Sequence, residues 1–157
     1  MKIMKRILLS LMMLVVAIAA GAQNADKLYE EGKKLYDEKK YEQAFPLLKK
    51  AAEKGHKKAQ YRLGRCYDKG NGTEEDNKTA FIWYEKAAKQ DHAKSQYQLA
   101  RYYLKGKGGI AVDIEKARKL LKRAIKSGKS GKEIEEELKA DAAKGDEEAI
   151  KLLELLK

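Results

Sequence analysis

Two histidines, His56 and His92, stand 36 residues apart in a chain that holds no others. Histidines in register invite a metal-pair reading. Zinc, however, takes about four converging ligands, and no cysteine or aspartate cluster accompanies these two. Each directly precedes a stretch of helical periodicity, which makes it a turn residue at a helix start. Cys66 is the single cysteine, so no internal disulfide can form. Its counterpart 36 residues on is Tyr102, so the pattern demands no thiol there. An inert, partly buried thiol is the first reading and an intermolecular disulfide the second. Gly106-Lys107-Gly108-Gly109 resembles a phosphate cradle in composition but lacks the Lys-Ser/Thr end of one, and it stands where a helix is due to stop. No serine elbow and no Cys–His arrangement is present. These residues point away from an enzyme, and neither a cofactor nor a metal is expected.

The elements that carry these residues repeat. Residues 51–70 (AAEKGHKKAQYRLGRCYDKG) and 87–106 (AAKQDHAKSQYQLARYYLKG) are identical at 11 of 20 positions. Ala59, Leu63, Cys66 and Tyr67 fall at three- and four-residue steps and predict a helix over Lys57–Lys69. Gly70-Asn71-Gly72 ends it. A second helix is expected over Asn77–Gln90, with Asp76 as its cap and Ala80, Trp83, Tyr84, Ala87 and Ala88 inward. The next copy reads Ala93–Lys105, a glycine loop, then Asp113–Ser127 with Ala117, Leu120, Leu121 and Ala124 inward. Ala44, Ala80 and Ala117 recur at intervals of 36 and 37 and allow two helices to approach closely. An earlier copy covers residues 25–39 and Tyr41–Lys54, with Pro46 expected to bend its second helix slightly. After a loop at Gly128-Lys129-Ser130-Gly131, two less regular helices, Lys132–Lys144 and Asp146–Lys157, cover the exposed apolar end of the stack. The fold class is all-α: a short right-handed α-solenoid of stacked antiparallel helix pairs, about three repeats plus a C-terminal helical cap.

The first residues stand outside this grammar. Lys2, Lys5 and Arg6 precede an apolar run of about 14 residues that closes on Ala20-Gly21-Ala22. Basic start, short apolar core and small-residue ending make residues 1–22 a secretory signal peptide. A retained anchor is the competing reading, although the run is shorter than the roughly 20 residues that span a bilayer. Removing 22 of the 157 residues leaves a 135-residue chain and lowers the formal charge from +11 to +8. The remaining lysines alternate with acidic residues, as in Glu30-Glu31-Gly32-Lys33-Lys34, which argues against a nucleic-acid partner. Nothing after the leader is apolar enough to enter a membrane.

Gly32, Ala44 and Ala51 fit the spacing of a tetratricopeptide repeat, and the later copies resemble its longer-looped relative, the Sel-one-like repeat, in its secreted bacterial form. The resemblance rests on Ala59, Leu63-Gly64, Tyr67, Gly70, Gly72, Asp76, Ala80, Trp83-Tyr84 and Ala87-Ala88, and covers about residues 25–128. Ala100 and Thr73 depart from it. It implies a repeat array over residues 23–128, a cap over 129–157, and binding along a concave face lined by the first helix of each pair. Carried onto this chain, that face bears Tyr29 and Lys33, Tyr61 and Arg65, and Tyr97 and Arg101. Each ring stands four residues ahead of its cation, on one helical face. Lys58, Lys94, Gln60 and Gln96 are candidates to extend it. Such a ladder suits an extended peptide with acidic residues or a free carboxylate, held by charge-assisted hydrogen bonds. The other reading makes the tyrosines packing residues and the arginines merely solvated. The function expected is a monomeric, non-enzymatic, exported scaffold, periplasmic or extracellular, that binds a protein or peptide. The alternative is an envelope structural or assembly protein whose basic surface meets anionic lipid or polysaccharide.

Overall fold

A computed structural model of the chain describes residues 2–157, with side chains at positions 4, 7 and 12 and from 21 onward. Eight helices account for the described residues, and no strand occurs among them: α1 (Lys2–Asp37), α2 (Tyr41–Glu53), α3 (Lys57–Lys69), α4 (Asn77–Lys89), α5 (Ala93–Lys105), α6 (Ile114–Ile125), α7 (Gly128–Ala143) and α8 (Glu147–Glu154). A 3-10 turn, Lys107–Gly109, lies between α5 and α6. Each helix packs on the next in chain order, and α7 also reaches back to α5, which is the contact pattern of a solenoid with a cap.

The caps explain where helices begin. His56 accepts the Ala59 amide through Nδ1 at 3.1 Å, and His92 accepts the Ser95 amide at 3.3 Å. Asp146 occupies the same place ahead of α8 and takes the Ala149 amide at 2.7 Å. The second helices use aspartate: Asp76 receives Lys78 and Thr79, and Asp113 receives Lys116. These side chains satisfy amides that the first helical turn leaves without partners. Between the helices of a pair the loop folds onto the preceding pair. A side chain at Gly72 (φ +73°) would put its Cβ 2.3 Å from the Tyr41 carbonyl, so this position needs glycine twice over.

Packing within a pair follows a small-against-large rule. A Cβ on Gly64 would stand 2.7 Å from the Tyr84 ring, and one on Gly32 would stand 3.0 Å from Leu48. At the third position the chain has Ala100, and the residue corresponding to Tyr84 is Leu121; both are fully buried in one cluster. A smaller partner makes room for the extra methyl. Ala44, Ala80 and Ala117 are all fully buried, as close helix contact requires. The core is divided along the stack into three apolar clusters, centred on Leu48 and Leu63, on Tyr84 and Tyr102, and on Leu121 and Leu138.

Three expectations need correction. The first helix does not begin near residue 25: α1 is continuous from Lys2 and runs through the expected leader cut after Ala22. The leader's side chains lie largely outside those described. Gly128–Gly131 is the opening of α7 rather than a loop, because Gly131 is needed for close approach. Its Cβ would lie within 1.9 Å of the Ile125 carbonyl on α6. In α4 the core aromatic beside Tyr84 is Phe81, whereas Trp83 is only partly buried and lies beneath the Lys86 ammonium. Pro46 sits inside α2 without ending it. Cys66 is fully buried, and burial pushes its thiol up to about 12, which makes it inert at neutral pH. Among the described residues no helix is long and apolar enough to cross a membrane.

Candidate binding face

The first helices of successive pairs, α1, α3, α5 and α7, line two joined concavities. The wider, about 510 Å³, is bounded by Tyr29, Lys33, Lys57, Lys58, Tyr61 and Arg65, with Lys94 and Ser130 opposite. The narrower, about 270 Å³, takes in Tyr61, Arg65, Tyr97 and Arg101, with Tyr84 and Ile134 among its other neighbours. Tyr61, Arg65 and Lys94 belong to both. All six residues of the expected ladder therefore border one continuous depression.

They are not equivalent within it. Tyr29 is buried, its ring stacked at 4.3 Å on the His56 imidazole. Tyr61 leans against His92 in the same way, with centroids 4.8 Å apart. Each capping histidine thus also braces the ladder tyrosine of the preceding pair, a double duty that explains its recurrence. Burial pushes His92 down to about 4, so at neutral pH it is an uncharged acceptor, as its cap role requires. His56 is lowered by burial too, partly offset by Asp26 at 3.3 Å. Among the described residues no group of three or more His, Cys, Asp or Glu is placed to hold a metal ion. Burial raises the phenols of Tyr61 and Tyr97, the latter to about 12 despite the neighbouring Arg101. Both tyrosines remain neutral donors.

The cations divide the face. Lys33, Lys57, Lys58, Arg62, Arg65 and Lys94 surround the wider concavity, whose one acid is Asp91. Around the narrower one the cap brings Glu133 and Glu137 from α7. Beside it, Arg101, whose guanidinium lies 5.8 Å from the Tyr97 ring, is held by both oxygens of Glu148 on α8 at 2.5 and 3.1 Å, and Lys105 joins the same carboxylate. Burial works against the Glu148 charge, but these hydrogen bonds outweigh it and hold its carboxyl below the usual range. The third rung is therefore already engaged by a carboxylate of the chain itself. Sequence reasoning missed this pair, because its partners lie 47 residues apart, Arg101 in the third repeat and Glu148 in the less regular cap.

Two of the outlying candidates are not on the face. Gln60 and Gln96 are buried and donate to the Ala52 and Ala88 carbonyls, tying each first helix to the end of the helix before it. Lys58 and Lys94 do border the concavities.

The Sel1 repeat pattern matches residues 20–56, 57–92 and 93–129. The chain belongs to the Sel1 repeat family. Its three Sel1 repeats take in the later half of α1 with α2, then α3–α4 and α5–α6, and leave α8 and all but the first residues of α7 outside the matched units. Among solved structures, a Sel1 repeat protein from Oxalobacter formigenes is 39% identical, with a TM-score of 0.59, over 62% of this chain and 39% of that one. A protective antigen of uropathogenic Escherichia coli strains, displaying an SLR fold, is 28% identical with a TM-score of 0.64, over 85% of this chain and 31% of that one. The chain thus spans well under half the length of either relative. No curated protein matches the chain. Sel1 repeats form helical scaffolds that typically mediate protein–protein interaction, generally without enzymatic activity.

Proposed function

We propose that this Sel1 repeat chain is an exported, non-enzymatic, monomeric scaffold that holds an acidic segment of another protein along the face of α1, α3 and α5. The observation that carries the reading is Arg65. It is half-buried between two concavities, with Tyr61 beside it, and no carboxylate of the described residues pairs with it, whereas its counterpart Arg101 holds Glu148. A partly buried guanidinium forms strong charge-assisted contacts with a carboxylate once one is supplied. Lys33, Lys57 and Lys58 give the same face a positive field that favours acidic partners and hastens their encounter. Export rests on the basic, apolar and small-residue order of residues 1–22. The first buried side chain of the repeat region is Ala25, beyond the proposed cut, and the periplasm or cell exterior is the proposed destination.

The test is crosslinking and co-purification from envelope extract, with the wild-type chain beside a Lys33→Glu, Lys58→Glu, Arg65→Glu variant. Arg101 is left alone, because a glutamate there would face Glu148 and unseat the cap. The reading expects a defined partner with the wild type and none with the variant; equal capture by both removes the face from consideration. The chain recovered from the envelope should also begin at Gln23 by mass.

A second reading is an envelope-assembly protein that meets anionic lipid or polysaccharide. It draws on the outer side of α6, where Arg118, Lys119, Lys122, Arg123 and Lys126 surround one surface hollow with a single acid, Glu115. Binding that falls steeply with salt and ignores peptide sequence would favour it.

A further inference from the structure

Another hollow, about 260 Å³, opens in the seam between α4 and α6, where Ala88, Leu99, Tyr103 and Leu120 line its apolar part. Leu99 and Tyr103 stand two residues on from Tyr97 and Arg101, a turn of about 200° around α5. The hollow is therefore separate from the face of α1, α3 and α5. One repeat earlier, Ala52, Leu63 and Tyr67 hold the registers of Ala88, Leu99 and Tyr103. Even the next ring is copied: Phe45 meets Tyr67 edge-on at 5.5 Å, and Phe81 meets Tyr103 edge-on at 5.6 Å. The walls agree and the plug differs. In the α2–α4 seam the second helix supplies Trp83, packed against the cluster that holds Ala52 and Leu63. In the α4–α6 seam the same register holds Leu120. Its isobutyl group is smaller than an indole, and the hollow is the space it leaves.

The rim changes with the plug. Around Trp83 the corresponding positions are Lys49, Glu53, Thr79, Ile82 and Lys86, two cations and one acid. Around the hollow they are Glu85, Lys89, Lys116, Lys119 and Arg123, four cations and one acid. Asp113 and Asp91 meet Lys116 and Arg123 at 3.2 and 2.6 Å. Lys89 and Lys119 pair with no carboxylate of the described residues. The hollow is smaller than the roughly 300–1,000 Å³ of sites that enclose a whole small-molecule ligand, and it suits a single side chain.

We propose that the α4–α6 seam receives an aromatic side chain, an indole by preference, from an acidic segment of another protein. The guest sits as Trp83 sits one repeat earlier. The Lys86 ammonium lies 3.9 Å from the Trp83 ring, and Arg123 holds the register of Lys86, so the cation–π contact is repeated on the guest. Lys89 and Lys119 meet the acidic residues that flank it. This site goes beyond the functional reading above and stands or falls without it.

The probes are two heptapeptides of glycine, aspartate and glutamate, blocked at both ends, one with tryptophan at its centre and one with alanine. Calorimetric titration of the full chain should show the tryptophan peptide binding at least tenfold more tightly. Leu120→Trp, which plugs the seam from within, should lower its affinity to that of the alanine peptide. The thermal midpoint of that variant should be unchanged or higher, because Trp83 already shows the indole accommodated. Lys89→Glu with Lys119→Glu, both exposed, should weaken the tryptophan peptide at least tenfold. Arg65→Glu, on the other face, should leave the preference for tryptophan intact. Equal affinity of the two peptides, or binding of neither, overturns the proposal. So does an affinity for the tryptophan peptide unchanged by Leu120→Trp or by the lysine reversals. A preference lost in Arg65→Glu, or a midpoint lowered by Leu120→Trp, overturns it too.

Discussion

At the scale of single residues, the chain works by pairing a small side chain on one helix with a large one on the next. Gly64 against Tyr84 is the tightest case. Gly64→Ala should cost about 1–3 kcal/mol, the usual penalty of overpacking, even though alanine is the better helix former. Adding Tyr84→Leu, which copies the Ala100–Leu121 arrangement, should recover most of it; urea denaturation of the single and double variants measures both. The histidine caps make a second prediction. His92, pushed down to about 4 by burial, titrates below its ordinary value near 6.5, so the unfolded chain takes up a proton first as pH falls. This contribution to stability is complete above about pH 6.5, declines toward about pH 4, and then levels off. His92→Asn keeps the acceptor and removes the proton site. Its urea midpoint should therefore fall less than that of the wild type between about pH 7 and about pH 5.

At the scale of elements, the cap is the least regular piece: only the approach to α8 copies the repeats, with Gly145 and Asp146 standing where Gly55 and His56 do. Gly131 lets the start of α7 lie directly on the last carbonyls of α6. In an ordinary helix, replacing glycine with alanine stabilises by roughly 0.5–1 kcal/mol. Here Gly131→Ala should destabilise, and limited proteolysis should release α7 and α8 before the three repeats are cut. A chain ending after Ser127 would bare Leu121 and Ala124 and should self-associate, which light scattering detects. The three repeat pairs were legible because the sequence could be compared with itself: periodic alanines, the glycine loops and the recurring His and Asp caps appear in register. The boundaries of α3 and α5 follow from that comparison to the residue. The start of α7 offered no second copy, so Gly131 looked like a loop glycine when it is a contact glycine. Gln60 and Gln96 were misplaced for a related reason. Each sits beside a ladder tyrosine in sequence, but one residue along a helix is a turn of about 100°, enough to send the side chain into the seam between pairs.

At the scale of the whole molecule, the ladder foreseen as three equal rungs is graded. The first tyrosine is buried under His56, the middle rung is open, and the last is engaged by Glu148. None of this could be read from spacing, since Tyr29, Tyr61 and Tyr97 are identical in register; what differs is what the neighbouring pair or the cap lays over each. The account therefore places the centre of binding at α3 and predicts that Glu148→Gln, which frees Arg101 and Lys105, tightens binding of an acidic segment while loosening α8. Parallel peptide titrations and thermal melts of that variant would register the two opposite changes. The most direct examination of the central claim is a ¹H–¹⁵N NMR titration of the chain with the acidic segment of a captured partner. The account predicts shifts concentrated on Lys58, Tyr61, Arg65 and Lys94, diminishing toward Arg101. Shifts confined to the outer side of α6, around Lys119, Lys122 and Lys126, would contradict it.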